Sequence, residues 1–246
     1  MCGRFALYTP PDQLARLFDA ELGAGLGLGF EPHWNITPTT QILGLRFGGG
    51  GGPEGPARLP LVLDRFRWGL IPPQAKDPSQ GSRLFNARAE TVTTKPSFQA
   101  SFAQRRMAVL ADGFFEWRKG PGRGRQPHYF HRADGRPLVL AGLWADWRDP
   151  GPEAGERPAV RSCTIITTSA GQDMDGVHDR MPVILAPDVL ERWTDPAGAD
   201  DHELSALLRA APTGTLRHHP VDQRAGNVRN DDPALIAPLA APATLF

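Results

Sequence analysis

Apolar positions along the chain fall in short runs broken by turn residues, a pattern that predicts many strands and few helices. Residues 3–8 are apolar-rich and read as a strand. Thr9-Pro10-Pro11-Asp12 has the form of a helix start, with Thr9 as N-cap, Pro10 in the first helical position and Asp12 in the first turn. Leu14, Leu17, Phe18 and Leu22 follow at helical spacing, so this helix is expected to pack one face on the core until the Gly/Leu stretch at 23–29 ends it. Residues 32–38 are turn-rich. Residues 41–47 and 59–68 read as an outgoing and a returning strand on either side of a glycine loop at 48–56. Residues 69–86 show little periodicity, and 89–102 look helical only in part because Pro96 interrupts them. Short strands are expected at 107–111 and 114–118 around an Asp112-Gly113 turn, then a strand pair at 128–132 and 137–144, then a β-branched strand at 161–168. Short helices at 187–193 and 201–211 and a last strand at 215–221 complete the chain.

Such a series implies an α+β fold, a mainly antiparallel, barrel-like sheet flanked by short helices. No linker divides the chain, and residues 1–246 are read as a single domain, with the 48–56 loop as an insertion and 236–246 as a flexible tail. Gly50, Gly52 and Gly55 formally spell G-x-G-x-x-G, but Pro53 lies inside the motif and no helix follows, so no nucleotide site is expected there.

Composition narrows the function classes. Lys+Arg and Asp+Glu each number 27, and a net charge of zero argues against binding nucleic acid by bulk charge while leaving room for a local basic cleft. The two cysteines, Cys2 and Cys163, are too few for a disulfide framework. With no secretory leader and no long apolar run, the expectation is a soluble, cytoplasmic monomer.

Candidate chemistry begins at Cys2. Once Met1 is removed, Cys2 carries an α-amine and a thiol on adjacent carbons, and such a 1,2-aminothiol condenses with an aldehyde through an imine to a thiazolidine. The free α-amine titrates at about 7.7–8.0, so a neutral fraction exists near pH 7. Glu116 is flanked by aromatics in Asp112-Gly113-Phe114-Phe115-Glu116-Trp117. A carboxyl in apolar surroundings holds its proton more tightly and can serve as acid and base near neutrality; an outward-facing strand glutamate is the plainer reading. His178, in His178-Asp179-Arg180-Met181-Pro182, is placed for proton transfer or is a loop histidine. Asn86-Ala87-Arg88-Ala89-Glu90 offers an orienting amide and a phosphate-binding guanidinium, or a helix cap with surface charges. His128 and His131, three apart on a strand, point to opposite faces, and neither they nor His218-His219 form a metal-ligand cluster, so no metal or cofactor is expected.

Taken together, Met1-Cys2-Gly3-Arg4-Phe5, Asn35-Ile36-Thr37-Pro38, Trp68-Gly69-Leu70-Ile71-Pro72, Asn86 to Glu90, Ala111 to Trp117, His178 to Pro182 and the late Pro220-Val221 and Asn227-Val228 resemble the SOS-response-associated peptidase family over nearly the whole chain. The resemblance implies a protein that binds single-stranded DNA and links its mature N-terminal cysteine to the ring-opened aldehyde of an abasic site. It implies Cys2 as nucleophile, Asn86, Glu116 and His178 as supporting catalytic residues, and Arg4 and Arg88 as phosphate contacts. Pro38 and Trp68 join them as DNA-binding candidates. Relatives often carry a tryptophan soon after the Gly-Leu-Ile-Pro motif, where this chain has Gln74, so a stacking contact at a duplex edge is expected to be lost. Two other readings stay open: a thiol autopeptidase or amidase built on Cys2, His178 and Asn86, and a non-covalent single-strand binder.

Overall fold

The computed structural model describes residues 2–24, 26, 29–48, 61–120, 124–151, 158–198 and 200–239. In chain order these form β1 (Phe5–Leu7), α1 (Pro11–Leu17), β2 (Ala20–Leu22), β3 (His33–Ile36), β4 (Gln41–Phe47), β5 (Leu61–Trp68), β6 (Asn86–Arg88), α2 (Pro96–Gln104) and β7 (Arg106–Ala111). They continue with β8 (Gly113–Lys119), β9 (Arg125–Arg132), β10 (Leu138–Trp147), β11 (Val160–Ser169), β12 (Arg180–Pro182), α3 (Leu190–Thr194), α4 (Asp201–Ala206) and β13 (Leu216–Pro220).

The strands make two sheets. In the larger, β11, β10, β7, β4 and β5 pair antiparallel in that order, and a parallel pairing of β5 with β11 closes the ring at Ser162↔Arg67 and Cys163↔Trp68. The result is the expected α+β, barrel-like architecture, but mixed in strand direction, because β6–β11 and β2–β5 are also parallel. The smaller sheet runs β13-β9-β8-β1-β3, antiparallel throughout. One face of it, carrying Phe5, Phe114 and Phe130, packs into the main core together with Cys2. The other face carries Ala6, Phe115 and Tyr129 and forms a separate cluster with Val221 and Ala225.

Asp112 is where the chain passes from one sheet to the other. Residues 107–111 and 114–118 were expected as neighbours around a turn, yet β7 belongs to the barrel and β8 to the small sheet. The expected pair β9 and β10 is split the same way. A strand that leaves one sheet for another turns a corner there, and Gly113 permits it: a Cβ at this position would lie 2.3 Å from the Tyr129 ring and 2.5 Å from the Phe130 carbonyl oxygen.

Several local expectations are corrected. Pro10, not Thr9, is the N-cap of α1, with no side-chain cap, because the Thr9 hydroxyl donates instead to Asp112 Oδ1 at 2.6 Å. The helix stops at Leu17, and Asp19 turns the chain through a positive φ of 49°. Leu17 and Leu22 are accordingly 42% and 43% exposed, and Leu22 lies on β2. Pro96 opens α2 rather than interrupting it, as a residue that lacks an N–H fits the first turn best. The turn-rich 32–38 stretch contains strand β3, and the helix expected at 201–211 ends at Ala206. The glycine loop at 49–56 and the tail beyond Leu239 lie outside the described residues. No helix among the described residues is long and apolar enough to cross a membrane.

Candidate active site

Cys2 is fully buried where the small sheet meets the barrel. Its carbonyl accepts a hydrogen bond from Asn86 Nδ2 at 2.7 Å. Asn86 is placed by β6, whose parallel pairing with β11 sets Asn86 against Ile165. The Trp68 indole supports that segment from within, donating from Nε1 to the Phe85 carbonyl at 2.9 Å. Burial pushes the Cys2 thiol up to about 12; the Glu116 carboxylate adds to the rise, and a hydrogen bond with the Arg4 backbone opposes it. At neutral pH the sulfur is therefore a thiol, and it needs a base to become a nucleophile.

Glu116 is the carboxylate within electrostatic reach of that thiol. It sits on the core-facing side of β8, 4% exposed, and its Oε2 lies 3.9 Å from His178 Nε2. This is ion-pair range but longer than a hydrogen bond. His178 stands on the loop before β12, partly exposed, and the Arg180 backbone N–H donates to its Nδ1 at 2.9 Å. That bond makes Nδ1 an acceptor and places the proton of the neutral ring on Nε2, toward Glu116. The exposed Asp179 carboxylate, 3.0 Å from the same Nδ1, competes as a partner when the ring is doubly protonated. Three of the chain's separate motifs, at 86, 116 and 178, thus converge on Cys2.

The DNA-binding candidates divide. Arg88 is exposed on β6, two residues from Asn86 and so on the same side of the strand. Pro38 is half-buried just beyond β3. Arg4 is already committed: its Nη1 donates to Asn35 Oδ1 and to the Ala225 carbonyl, both at 2.8 Å, and its guanidinium lies 5.6 Å from the Trp117 ring centroid. Trp68 is the correction. It is fully buried, packed on Phe5 and edge-on to Phe85, and has no face to offer a base. Pro73 and Gln74, after the Gly-Leu-Ile-Pro motif, are exposed.

Sequence reasoning missed three residues that hold this region together. Asp112 was read as a turn signal, yet its carboxylate accepts from the Tyr8 and Thr9 backbone N–H groups at 2.6 and 2.8 Å, as well as from the Thr9 hydroxyl. Asn35 is buried and donates to the Asn227 and Asn230 carbonyls at 3.1 and 2.7 Å, tying the C-terminal segment to β3. Arg180 forks onto Glu90 at 2.5 and 3.0 Å and caps the Thr167 carbonyl at 2.6 Å, locking the His178 loop against β6 and β11. Each belongs to a motif already singled out, so the signal was the motif; the role needed the contact.

Beside His178 opens a cleft of about 740 Å³, lined by Trp117, Lys119, Arg125, Ser169 and residues 175–179. It offers an aromatic face and two cations beside the His178 imidazole. No cluster of three or more metal-ligating side chains occurs among the described residues.

A two-sheet α+β protein with a buried N-terminal-proximal cysteine served by an amide, a carboxylate and an imidazole is the class that fold and site define. The chain belongs to the SOS response associated peptidase (SRAP) family, whose profile matches residues 1–228. It is 32% identical over 236 residues to the abasic site processing protein YoqW of Bacillus subtilis, covering 96% of this chain and 99% of that one. It is 31% identical to the abasic site processing protein YedK of Escherichia coli over 97% of this chain and all of the other. The chicken abasic site processing protein HMCES is 33% identical over 72% of this chain and 58% of its own length. A crystal structure of a Bacteroides thetaiotaomicron protein shares the fold, with a TM-score of 0.81 at 20% identity over 97% of this chain and all of the other. A phage-related protein from Bordetella bronchiseptica aligns at 31% identity with a TM-score of 0.64, covering 90% and 95% of the two chains.

Proposed function

We propose that this chain is an abasic-site processing protein that binds single-stranded DNA and links Cys2 covalently to the ring-opened sugar of an abasic site. One observation carries the reading: Cys2 is buried with its carbonyl fixed by Asn86 and its thiol within electrostatic reach of Glu116, which in turn lies 3.9 Å from His178 on the wall of a cleft. The names of the relatives agree with it.

In this reading, removal of Met1 frees the α-amine, and the Asn86 bond to the Cys2 carbonyl aims that amine into the site. The neutral amine attacks the C1′ aldehyde, Glu116 supplies the proton for loss of water, and an imine forms. The thiol then adds to the imine carbon. As the C–S bond closes the thiazolidine ring, the C=N π pair moves to nitrogen, and the proton leaving sulfur is carried by a neighbouring base to that nitrogen. Because burial raises the thiol's pKa, proton transfer accompanies the addition instead of preceding it. Arg88 contacts a phosphate, Pro38 flanks the strand, and Arg4 acts on the cleft through Trp117. The amidase alternative has less support, since Asn86 engages the Cys2 carbonyl and His178 Nδ1 is occupied by a backbone amide.

The test is the intact mass of Met1-processed protein before and after incubation with abasic single-stranded DNA. One strand added per chain, resistant to denaturation and lost in Cys2→Ala, is the expected result. Full cross-linking by Cys2→Ala overturns the mechanism.

A further inference from the structure

Glu116 is not served from the cleft side alone. Antiparallel pairing of β8 with β9 sets His128 directly opposite it, so the two side chains share a face. His128 is only 3% exposed. Its Nδ1 lies 3.0 Å from Nδ1 of His218 on the next strand, β13, so one nitrogen donates and the other accepts. His218 stacks on Phe130, with ring centroids 4.7 Å apart, and is exposed at the edge of the sheet. Glu116 and His128 lie directly opposite one another, and His218, opposite Phe130, lies one rung along the same face, so the three step diagonally across three adjacent strands from a buried carboxylate to solvent.

The His128 ring is oriented for such a path. With Nδ1 engaged by His218 on β13, Nε2 is the ring nitrogen left for a second partner. That Nε2 is buried and has no hydrogen-bond partner among the described residues. A buried polar atom left unpaired costs about 1–3 kcal/mol, and the neighbouring rung of the same face is filled by apolar rings, Phe114 and Phe130, stacked on one another at 5.1 Å.

We propose that His128 and His218 are positioning residues that relay protons between Glu116 and solvent by a route that bypasses His178. The inference rests on the reading that Glu116 takes up and returns protons during linkage. In the forward step, the Glu116 O–H proton passes to His128 Nε2 across an intervening water. The Nδ1 proton of His128 moves to His218 Nδ1, and His218 releases its Nε2 proton to water. No bond other than N–H and O–H changes, and a reverse shift resets both tautomers. The charged and titratable groups acting on the pair are Arg118 on β8, His219 on β13 and Asp173 on the turn before β12; Arg118 and His219 favour the neutral rings, and Asp173 opposes this at His218.

The experiment is single-turnover linkage to abasic single-stranded DNA by wild type, His128→Phe and His218→Phe, each in increasing imidazole buffer, alongside thermal unfolding. The expected result is a His128→Phe chain that is folded and as stable as wild type or more so. It links about tenfold more slowly, less than the roughly 10²–10⁴-fold of losing a direct acid–base group. Its rate rises with imidazole concentration, whereas that of wild type does not. A His128→Phe rate within twofold of wild type, or a slow rate that imidazole leaves unchanged, overturns the relay. If His128→Phe fails to fold, His218→Phe decides by the same two criteria. Failure of wild type itself to link overturns the functional reading, and the relay with it, and is distinguishable because it needs no variant.

Discussion

The barrel and the small sheet are built from similar strands but obey different rules. Strand β7 is buried at every position from Arg106 to Ala111, and β10 is buried through its first six residues, as expected of strands covered on both faces. The one buried cation on β7, Arg106, donates to the carbonyls of Phe102, Ala103, Trp193 and Asp195 through all three of its nitrogens. On the small sheet, β8 and β9 bury Glu116 and His128 in the same row as Phe114 and Phe130, and His128 Nε2 goes unpaired among the described residues. The buried cation of β7 is held in place by four carbonyls, whereas the buried His128 of the small sheet keeps an unpaired nitrogen.

The comparison can be broken from either side. On the small sheet, Glu116→Gln keeps shape and burial but removes the base. Linkage to abasic DNA is expected to slow by roughly 10²–10⁴-fold, with the melting temperature unchanged or raised. A large loss of stability instead would make Glu116 a structural residue. In the barrel, Leu140→Ala empties a fully buried site and is expected to cost about 2–5 kcal/mol in chemical denaturation, while the folded fraction links at the wild-type rate. A slowed rate in the folded fraction would show that the two regions are not separable.

Legibility followed the same division. Barrel strands such as β4 and β11 stand out as apolar or β-branched runs, because burial on both faces writes a continuous signal. The partition into two sheets was hidden, since Asp112-Gly113 looks the same as a hairpin turn and as a corner between sheets. Cys2, Asn86, Glu116 and His178 could be named from motifs, but not their meeting, which depends on the parallel β6–β11 pairing and the Arg180–Glu90 clamp. Trp68 was misplaced because an aromatic in a motif reads alike whether it stacks on a base or holds the Phe85 carbonyl from inside. His128 carried no signal, because a strand histidine acquires significance only from what lies across the ladder.

Asp112 joins the two regions, so its loss tests the junction itself. Asp112→Ala strands the Tyr8 and Thr9 N–H groups and the Thr9 hydroxyl. Hydrogen bonds to a charged acceptor contribute about 1.5–3 kcal/mol each when counted singly. With water reaching the half-exposed Thr9 side, a total near 2–3 kcal/mol is expected, read from the denaturation midpoint. Because β1 carries the chain out from Cys2, linkage should also slow. Lost stability with an unaltered linkage rate would mean that Cys2 is positioned by Asn86 alone.

The smallest effect concerns pH and isolates the small sheet without touching Glu116. Burial, and next the neighbouring His218, hold His128 down from the usual 6.5 to about 4. Between those two values the folded chain keeps His128 neutral while the unfolded chain takes up a proton, so the unfolded state binds more protons and stability rises with pH. The contribution is complete above about 6.5 and is lost progressively as pH falls toward 4; His218 shifts in the same direction. His128→Phe removes a titrating group from both states and should flatten this part of the profile. Calorimetric melting temperatures at pH 7 and pH 4.5 are expected to fall further for wild type than for His128→Phe, by about 3 °C or more. Parallel declines would assign the acid sensitivity to carboxylates outside the row, and would remove the neutral, buried state of His128 that sets this sheet apart from the barrel.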